Sequence, residues 1–307
     1  MTTLVSSFAD LDVSLTLRAG QVFGWELSLD SRWEGVIGET AFSLHQDNHT
    51  GVVTFSYSKG SLDNDAVARA CLRDYFQLDI DLVSLIKSWG KCDSTFNRLI
   101  PETCKFAGLR ICRQDPFECL ISFIVSANNN IKRISQNLKS IRTKYGTRID
   151  GDSYAFPTLP QLAVATAEEF RQLGLGYRAE YIVKTVRMLS DDSGLVTLYK
   201  LRQESDVNIA RNFLMKLSGV GRKVADCVSL YSLDFPAVAP VDTHMYQIAC
   251  RLFSRTIKKD NNMHDLIQEA MVDRFGEKAG WAHCFLFAAD LRDLQDPPLT
   301  KRAKLRE

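Results

Sequence analysis

The stretch Phe213-Leu214-Met215-Lys216-Leu217-Ser218-Gly219-Val220-Gly221-Arg222-Lys223-Val224-Ala225-Asp226-Cys227 restricts the folds open to this chain more than any other segment. Helical spacing of apolar residues runs to Leu217, Gly219 and Gly221 are expected to supply the positive φ of a tight reversal, and a second helix starts at once. The first turn of that helix leaves backbone N–H groups without partners, and the helix dipole adds positive character at the same end. A DNA phosphate fits there, held by main-chain donors that read no sequence. Lys223, in the first turn, then stands beside a nucleotide. On this stretch alone it could equally do no more than add charge for the phosphate.

The rest of the chain divides by periodicity. Residues 1–60 read as strands, with alternation at Val13–Leu17, Trp33–Ile37, Phe42–His45 and Val52–Tyr57 and turn signals between them. An antiparallel sheet with one solvated face is expected. From about residue 62 the period is helical, with helices expected at 65–76, 82–89, 116 onward through ECLISFIVSA, 131–144, 159–172, 178–191, 206–217, 222–231, 243–254, 262–274 and 277–292. Asp115-Pro116 opens one of them as cap and first-turn proline. Asp150–Ser153 and Pro157–Pro160 read as loops, and the basic tail 296–307 as disordered. The expected units are a sheet domain with flanking helices at 1–105 and a helical domain at 106–295.

Composition excludes some classes and is silent on others. A net charge of +1 does not announce a nucleic-acid binder, although a local patch can still be basic. No apolar run is long enough to cross a bilayer. The start, MTTLVSSFADLD, lacks the basic and apolar regions of a secretory signal, and Asp10 and Asp12 argue against a mitochondrial presequence. The eight cysteines form no CxxC pair and no compact cluster of four, so neither zinc nor an iron–sulfur (Fe–S) cluster is expected.

A second motif, Pro240-Val241-Asp242-Thr243-His244, places Asp242 nineteen residues after Lys223. Alone, Asp242 reads first as a helix N-cap. Together, L-x-G-V-G-x-K-V-A-D and P-V-D-T-H resemble the signature of the helix-hairpin-helix glycosylases with a Gly/Pro-rich loop and a catalytic aspartate, in the lysine-bearing subgroup that also cuts the strand. The pair has a joint chemical use. Breaking an N-glycosidic bond builds positive charge on the sugar, which a carboxylate stabilises. An amine then attacks the anomeric carbon, and the adduct opens to a Schiff base that permits β-elimination. Only about one lysine in a thousand is neutral near pH 7.4, a handicap of roughly 4 kcal/mol that burial or a neighbouring cation would reduce. Cys227, one turn beyond Lys223, could adjust that environment or be a small core residue.

Further segments carry the resemblance to the 8-oxoguanine DNA glycosylases. They are Ala19–Trp25, Asp115–Leu120, Asn128–Ile134, Leu173–Ala179, and Gly280 through Arg292. The resemblance implies a TATA-binding-protein-like sheet followed by a two-lobed all-α domain with the cleft between the lobes, an α+β fold. It implies that Asn128 and Tyr177 fill the gap left by the extruded base and that Arg133 and Arg178 bond the orphaned cytosine. Gly20 would offer its carbonyl to N7–H of the lesion, which normal guanine lacks, and Phe287 would stack on the base. Each has a plainer reading: a polar turn for the asparagines, solvated surface for the arginines, a turn for Gly20, core packing for Phe287.

His283 stands where the family usually has glutamine reading the Watson–Crick edge, and Gly24 where it often has arginine. His244 matches a phosphate-contacting histidine, with capping as the alternative. The family's hairpin also binds a monovalent or calcium ion, here through the carbonyls of Met215, Leu217 and Val220. No cofactor is required. The expected substrate is duplex DNA with 8-oxoguanine opposite cytosine, bound by a monomer. The substrate and the basic tail suggest a nuclear location, with the mitochondrion as a second candidate. A non-catalytic damage sensor would need neither Lys223 nor Asp242. An enzyme of the endonuclease III type usually carries four C-terminal cysteines, whereas only Cys284 lies in the last fifty residues here.

Overall fold

A computed structural model describes residues 2–58, 62–100, 107–191, 193–253, 257–260 and 262–290. The basic tail, the 105/106 boundary and Cys104 lie outside the described residues.

The chain begins with β1 (Thr2–Val5), α1 (Val13–Arg18), β2 (Glu26–Leu27), β3 (Trp33–Ile37), β4 (Thr40–Gln46) and β5 (Val53–Tyr57). The strands form one antiparallel sheet in the order β1-β5-β4-β3-β2. Alternation along β4 and β5 turns Phe42, Leu44, Val53 and Phe55 inward, under α2 (Asp65–Tyr75), while Ser43 and Ser56 face outward. Val13–Leu17, expected as a strand, is helical. Asp12 caps it by accepting from the Leu15 N–H at 2.8 Å, and Val13, Leu15, Thr16 and Leu17 are all buried, so the alternation in the sequence did not mark one wet face. Capping and burial on several sides outweighed β-propensity.

Then come α3 (Leu82–Cys92), α4 (Ser94–Leu99), α5 (Pro116–Ser126) and α6 (Ile131–Tyr145), and a small hairpin of β6 (Arg148–Asp150) and β7 (Ser153–Tyr154). After it follow α7 (Leu159–Ala163), α8 (Ala167–Gln172), α9 (Arg178–Ser190), α10 (Gly194–Lys200), α11 (Val207–Leu214), α12 (Arg222–Ser232), α13 (Thr243–Leu252), α14 (Met263–Phe275) and α15 (Ala279–Asp290). The single helix expected over 159–172 is two, because Thr166 caps a new one with a Thr–Glu169 capping box. The α4 and α10 helices were not anticipated.

By packing, α3 and α4 join the C-terminal helices and not the sheet. Trp89 donates from Nε1 to the Phe275 carbonyl at 3.1 Å, and Phe96 packs on Phe275 with ring centroids 5.4 Å apart. Arg274 pairs with the buried Asp93. The other lobe centres on α5, an apolar helix packed between α12 and α9. Residues 108–114 stitch sheet to helices: Asp12 N–H bonds the Gly108 carbonyl, Arg113 N–H that of Tyr75, and Gln114 N–H that of Tyr231.

Candidate active site

The hairpin runs from α11 through a turn into α12. Gly219 adopts φ +81°, and a Cβ there would stand 2.7 Å from Cβ of Tyr181, so both conformation and space demand glycine. Gly221 differs from expectation. Its backbone is extended (φ −92°, ψ −178°), as an N-cap position requires, and an added Cβ would meet nothing within 4 Å. What glycine provides there is an open approach to the start of α12, which has no side-chain cap.

A buried carboxylate fixes this start. Asp226, 1% exposed, accepts from Nε of Arg211 at 2.7 Å and Nε of Arg222 at 3.0 Å, and Arg222 reaches on to Asp265. With Arg222 tied outward, Lys223 points inward. Its Nζ lies 5.3 Å from the centroid of the Phe123 ring. Phe123 in turn stacks on Tyr231 (5.5 Å, 11°).

Lys223 does not have the lowered pKa anticipated for a nucleophilic lysine. Burial does disfavour its ammonium, but Cys227 and Asp242 outweigh burial and hold the pKa above the ordinary range. Burial pushes the Cys227 thiol up to about 11, against the pull of Lys223, so at neutral pH the thiol is uncharged. Asp242 also caps α13, accepting from the Met245 N–H at 2.9 Å. The cap and the catalytic reading are compatible, since a carboxylate has two oxygens.

The far wall comes from α15. His283 is 4% exposed, and burial lowers its pKa to about 4, so it is a neutral imidazole bonded to the Pro240 backbone. Its ring lies nearly parallel to Phe287 (6.0 Å, 20°), and Phe287 meets His244 edge-on at 6.2 Å. His244 is largely exposed, with Nδ1 4.0 Å from Asp290. Lys223, Cys227, Asp242, His283, Phe287 and His244 are thus brought together. Phe123, Tyr231 and Cys284, whose sulfur lies 3.5 Å from the Tyr231 hydroxyl, complete the surroundings and were not singled out from sequence. Tyr231 lies eight residues beyond Lys223, on the same face of α12, a signal that was there to use.

A second cluster lies beside this one. Arg178, buried at 4% exposure, donates to the Ala127 carbonyl from Nε (2.8 Å) and Nη2 (2.6 Å) and to the Asn128 carbonyl (2.7 Å), with its guanidinium 4.6 Å from the Tyr177 ring. Asn128 holds a left-handed backbone, φ +48°. Arg133 donates to the Gly174 carbonyl at 3.0 Å. Tyr177 is half-exposed and packs edge-on to Tyr181, the residue pressed against Gly219. Gly20 has φ +77°, and a Cβ there would meet only Ile131 Cδ1, at 3.7 Å, so conformation rather than space calls for glycine.

Among the described residues no cluster of His, Cys, Asp or Glu could hold a metal. At the hairpin, no described hydrogen bond falls on the carbonyls of Met215 or Val220, and that of Leu217 accepts one, from Val220 N–H at 3.2 Å, leaving a lone pair. Carbonyl oxygens of this kind are the donors a hard cation takes.

Comparison with known proteins identifies the family. The model of the N-terminal domain of 8-oxoguanine DNA glycosylase matches residues 3–120, and that of the HhH-GPD superfamily base excision DNA repair proteins matches residues 121–272. The N-glycosylase/DNA lyase OGG1 of Arabidopsis thaliana is 37% identical, over 92% of this chain and 78% of the relative. The N-glycosylase/DNA lyase of Saccharomyces cerevisiae is 32% identical, over 97% and 88%. The 8-oxoguanine glycosylase/lyase of Clostridium acetobutylicum, solved with double-stranded DNA containing cytosine opposite 8-oxoG, is 27% identical, with a TM-score of 0.78 over 91% of each chain. The chain belongs to the 8-oxoguanine DNA glycosylase family of the HhH-GPD superfamily and is, like these relatives, a bifunctional N-glycosylase and DNA lyase.

Proposed function

We propose that this chain excises 8-oxoguanine opposite cytosine from duplex DNA and then cuts the strand through a Schiff base at Lys223. The observation that carries the reading is the seat of Lys223: an amine directly behind an uncapped helix start, with Asp242 close enough to shift its pKa. A phosphate held at Gly219–Gly221, with His244 nearby, brings the sugar of an extruded nucleotide to that amine.

As the glycosidic bond breaks, its electron pair leaves with the base, and Asp242 stabilises the cationic sugar. Lys223 begins as an ammonium, so its proton must leave before its nitrogen attacks, and the departing purine, now carrying the electron pair, is a fitting acceptor. The neutral amine bonds to C1′, the sugar ring opens to the Schiff base, and loss of a C2′ proton expels the 3′ phosphate. Phe287 supplies the stacking face, and His283, whose one N–H is given to the Pro240 carbonyl, offers an acceptor nitrogen at the base edge. Gly20 offers a carbonyl to N7–H of the lesion. Leaving that acceptor facing the N7 lone pair of normal guanine costs about 1–3 kcal/mol, a contribution to selectivity and not the whole of it.

In the same reading Asn128 and Tyr177 occupy the vacated space, and Arg133 and Arg178 bond the orphaned cytosine. Arg178 must give up its carbonyl partners to do so. An ion on the carbonyls of Met215, Leu217 and Val220 would add positive charge beneath the phosphate. One copy of the chain carries every part, which fits action as a monomer.

Borohydride trapping tests the proposal. Duplexes carrying 8-oxoguanine opposite cytosine should yield a covalent complex, duplexes with undamaged guanine none. Trapping on oxidised pyrimidines instead would replace the substrate assignment.

A further inference from the structure

The loop from Gly20 to Trp25 is held at both ends by ordinary hydrogen bonds. Gln21 donates from Nε2 to the carbonyls of Thr16 (3.1 Å) and Arg110 (2.7 Å) and accepts at Oε1 from the Cys112 N–H (2.9 Å). Trp25 donates from its indole to the Tyr75 hydroxyl at 3.0 Å. Between these clamps, at Gly24, the contact is of another kind. The guanidinium of Arg142, from α6, lies so close that a Cβ at Gly24 would stand 2.4 Å from its Nη2 and 2.9 Å from its Cζ. Gly24 is not among the positive-φ residues, so its conformation does not require glycine; the guanidinium does.

Arg142 is poorly free to step aside. It is ion-paired with Glu118 on α5, its side chain is 11% exposed, and it lies over the Phe156 ring, 5.5 Å from the centroid. Burial raises the pKa of Glu118 while Arg142 pulls it back, so releasing the arginine would leave a half-buried carboxyl without its partner. Next to Gly24 in the chain, Phe23 packs edge-on to Phe123 (5.9 Å, 71°), the ring beneath Lys223. Phe123 keeps its own support from Tyr231.

We propose that Arg142 is a positioning residue for base recognition: locked between Glu118 and Gly24, it sets the depth at which the Gly20–Trp25 loop, and with it the Gly20 carbonyl, meets the extruded base. Hydrogen-bond recognition weakens steeply over a few tenths of an ångström, so a loop free to shift by that much loses the base while the nucleophile stays in place. The inference rests on the proposed reading of this loop as a base reader. It predicts an asymmetry, because strand cleavage at an abasic site involves Lys223 but no base.

Two assays on Arg142→Ala, Gly24→Ala and the double variant test it: single-turnover excision of 8-oxoguanine opposite cytosine, and strand cleavage at a pre-formed abasic site. Each single variant should slow excision by about 10-fold or more while abasic cleavage stays within about threefold. The double variant should be no slower than Arg142→Ala, since the interlock is already broken. Arg142→Lys, which keeps a cation for Glu118 but lacks the planar fork, should show the same split and serves if the alanine variant folds poorly. Equal losses in both assays, unchanged excision in a folded Arg142 variant, or losses that multiply in the double variant would overturn the proposal. A parent protein that cleaves abasic DNA but excises no 8-oxoguanine would sink the functional reading instead.

Discussion

The pocket around Lys223 and the cluster around Arg178 lie side by side but are built in opposite ways. In the pocket, side chains face one another: the amine over Phe123, Asp242 within electrostatic reach, His283 against Phe287. In the cluster, side chains face the protein's own main chain, with Arg178 on the carbonyls of Ala127 and Asn128 and Arg133 on that of Gly174. The first is assembled before DNA arrives. In the second, Arg178 is already bonded to internal carbonyls, and in the proposed reading it exchanges some of those bonds for bonds to DNA. Preorganisation where charge develops, and exchange where identity is checked, divide the labour between rate and selectivity.

The largest effect should come from the preassembled side. Lys223→Gln removes the nucleophile, so trapping should vanish and strand cleavage fall by at least about 10³-fold, while DNA affinity in a gel-shift assay changes little. Undiminished trapping would move the chemistry elsewhere. Asp242→Asn comes next. Asparagine caps a helix about as well as aspartate, so thermal stability should hold while single-turnover excision slows by roughly 10²–10³-fold. Unchanged excision would reduce Asp242 to a cap.

The same contrast explains what was legible in the sequence. The hairpin and α13 announce themselves through glycine spacing and an aspartate cap, which are local effects, and both stand where expected. Val13–Leu17 misled because alternation reports one wet face only when there is one, and here burial surrounds the segment. The roles suggested for the site residues could be named from the motifs, but their environment could not. Cys227, one turn away on the same helix, was readable, but the net rise in the Lys223 pKa also depends on how deeply the fold buries the amine and how near it brings Asp242. Likewise the occupied state of Arg178 depends on a turn fifty residues away, at Ala127 and Asn128.

His283 allows the preorganised side to be tested without DNA. Its pKa falls from an ordinary 6.5 to about 4 because burial excludes the imidazolium. Between these values the unfolded chain binds a proton that the folded protein refuses, so stability rises with pH across this window and is fully present above 6.5. Acidification from pH 7 to 4 should remove up to about 3 kcal/mol through this one group. In urea titrations, His283→Gln should flatten that slope. An unchanged slope would mean that the imidazole becomes protonated in place.

The smallest effect should come from Arg178, and it separates two roles that the cluster combines. Arg178→Ala takes the guanidinium from the Asn128 carbonyl and leaves the Ala127 carbonyl with the Tyr177 hydroxyl alone, which should cost about 1–3 kcal/mol in urea unfolding. If the guanidinium also reads the orphaned cytosine, the ratio of excision opposite cytosine to excision opposite adenine should fall by about 10-fold, because a group with donors only matches cytosine O2 and N3 and not the amino group of adenine. Lost stability with an unchanged ratio would make Arg178 a strut for the Ala127–Asn128 turn and leave opposite-base reading to Arg133. A fallen ratio with little loss of stability would show that the bonds to the main chain are easily exchanged, and the contrast between a fixed pocket and a rearranging cluster would then hold in its strongest form.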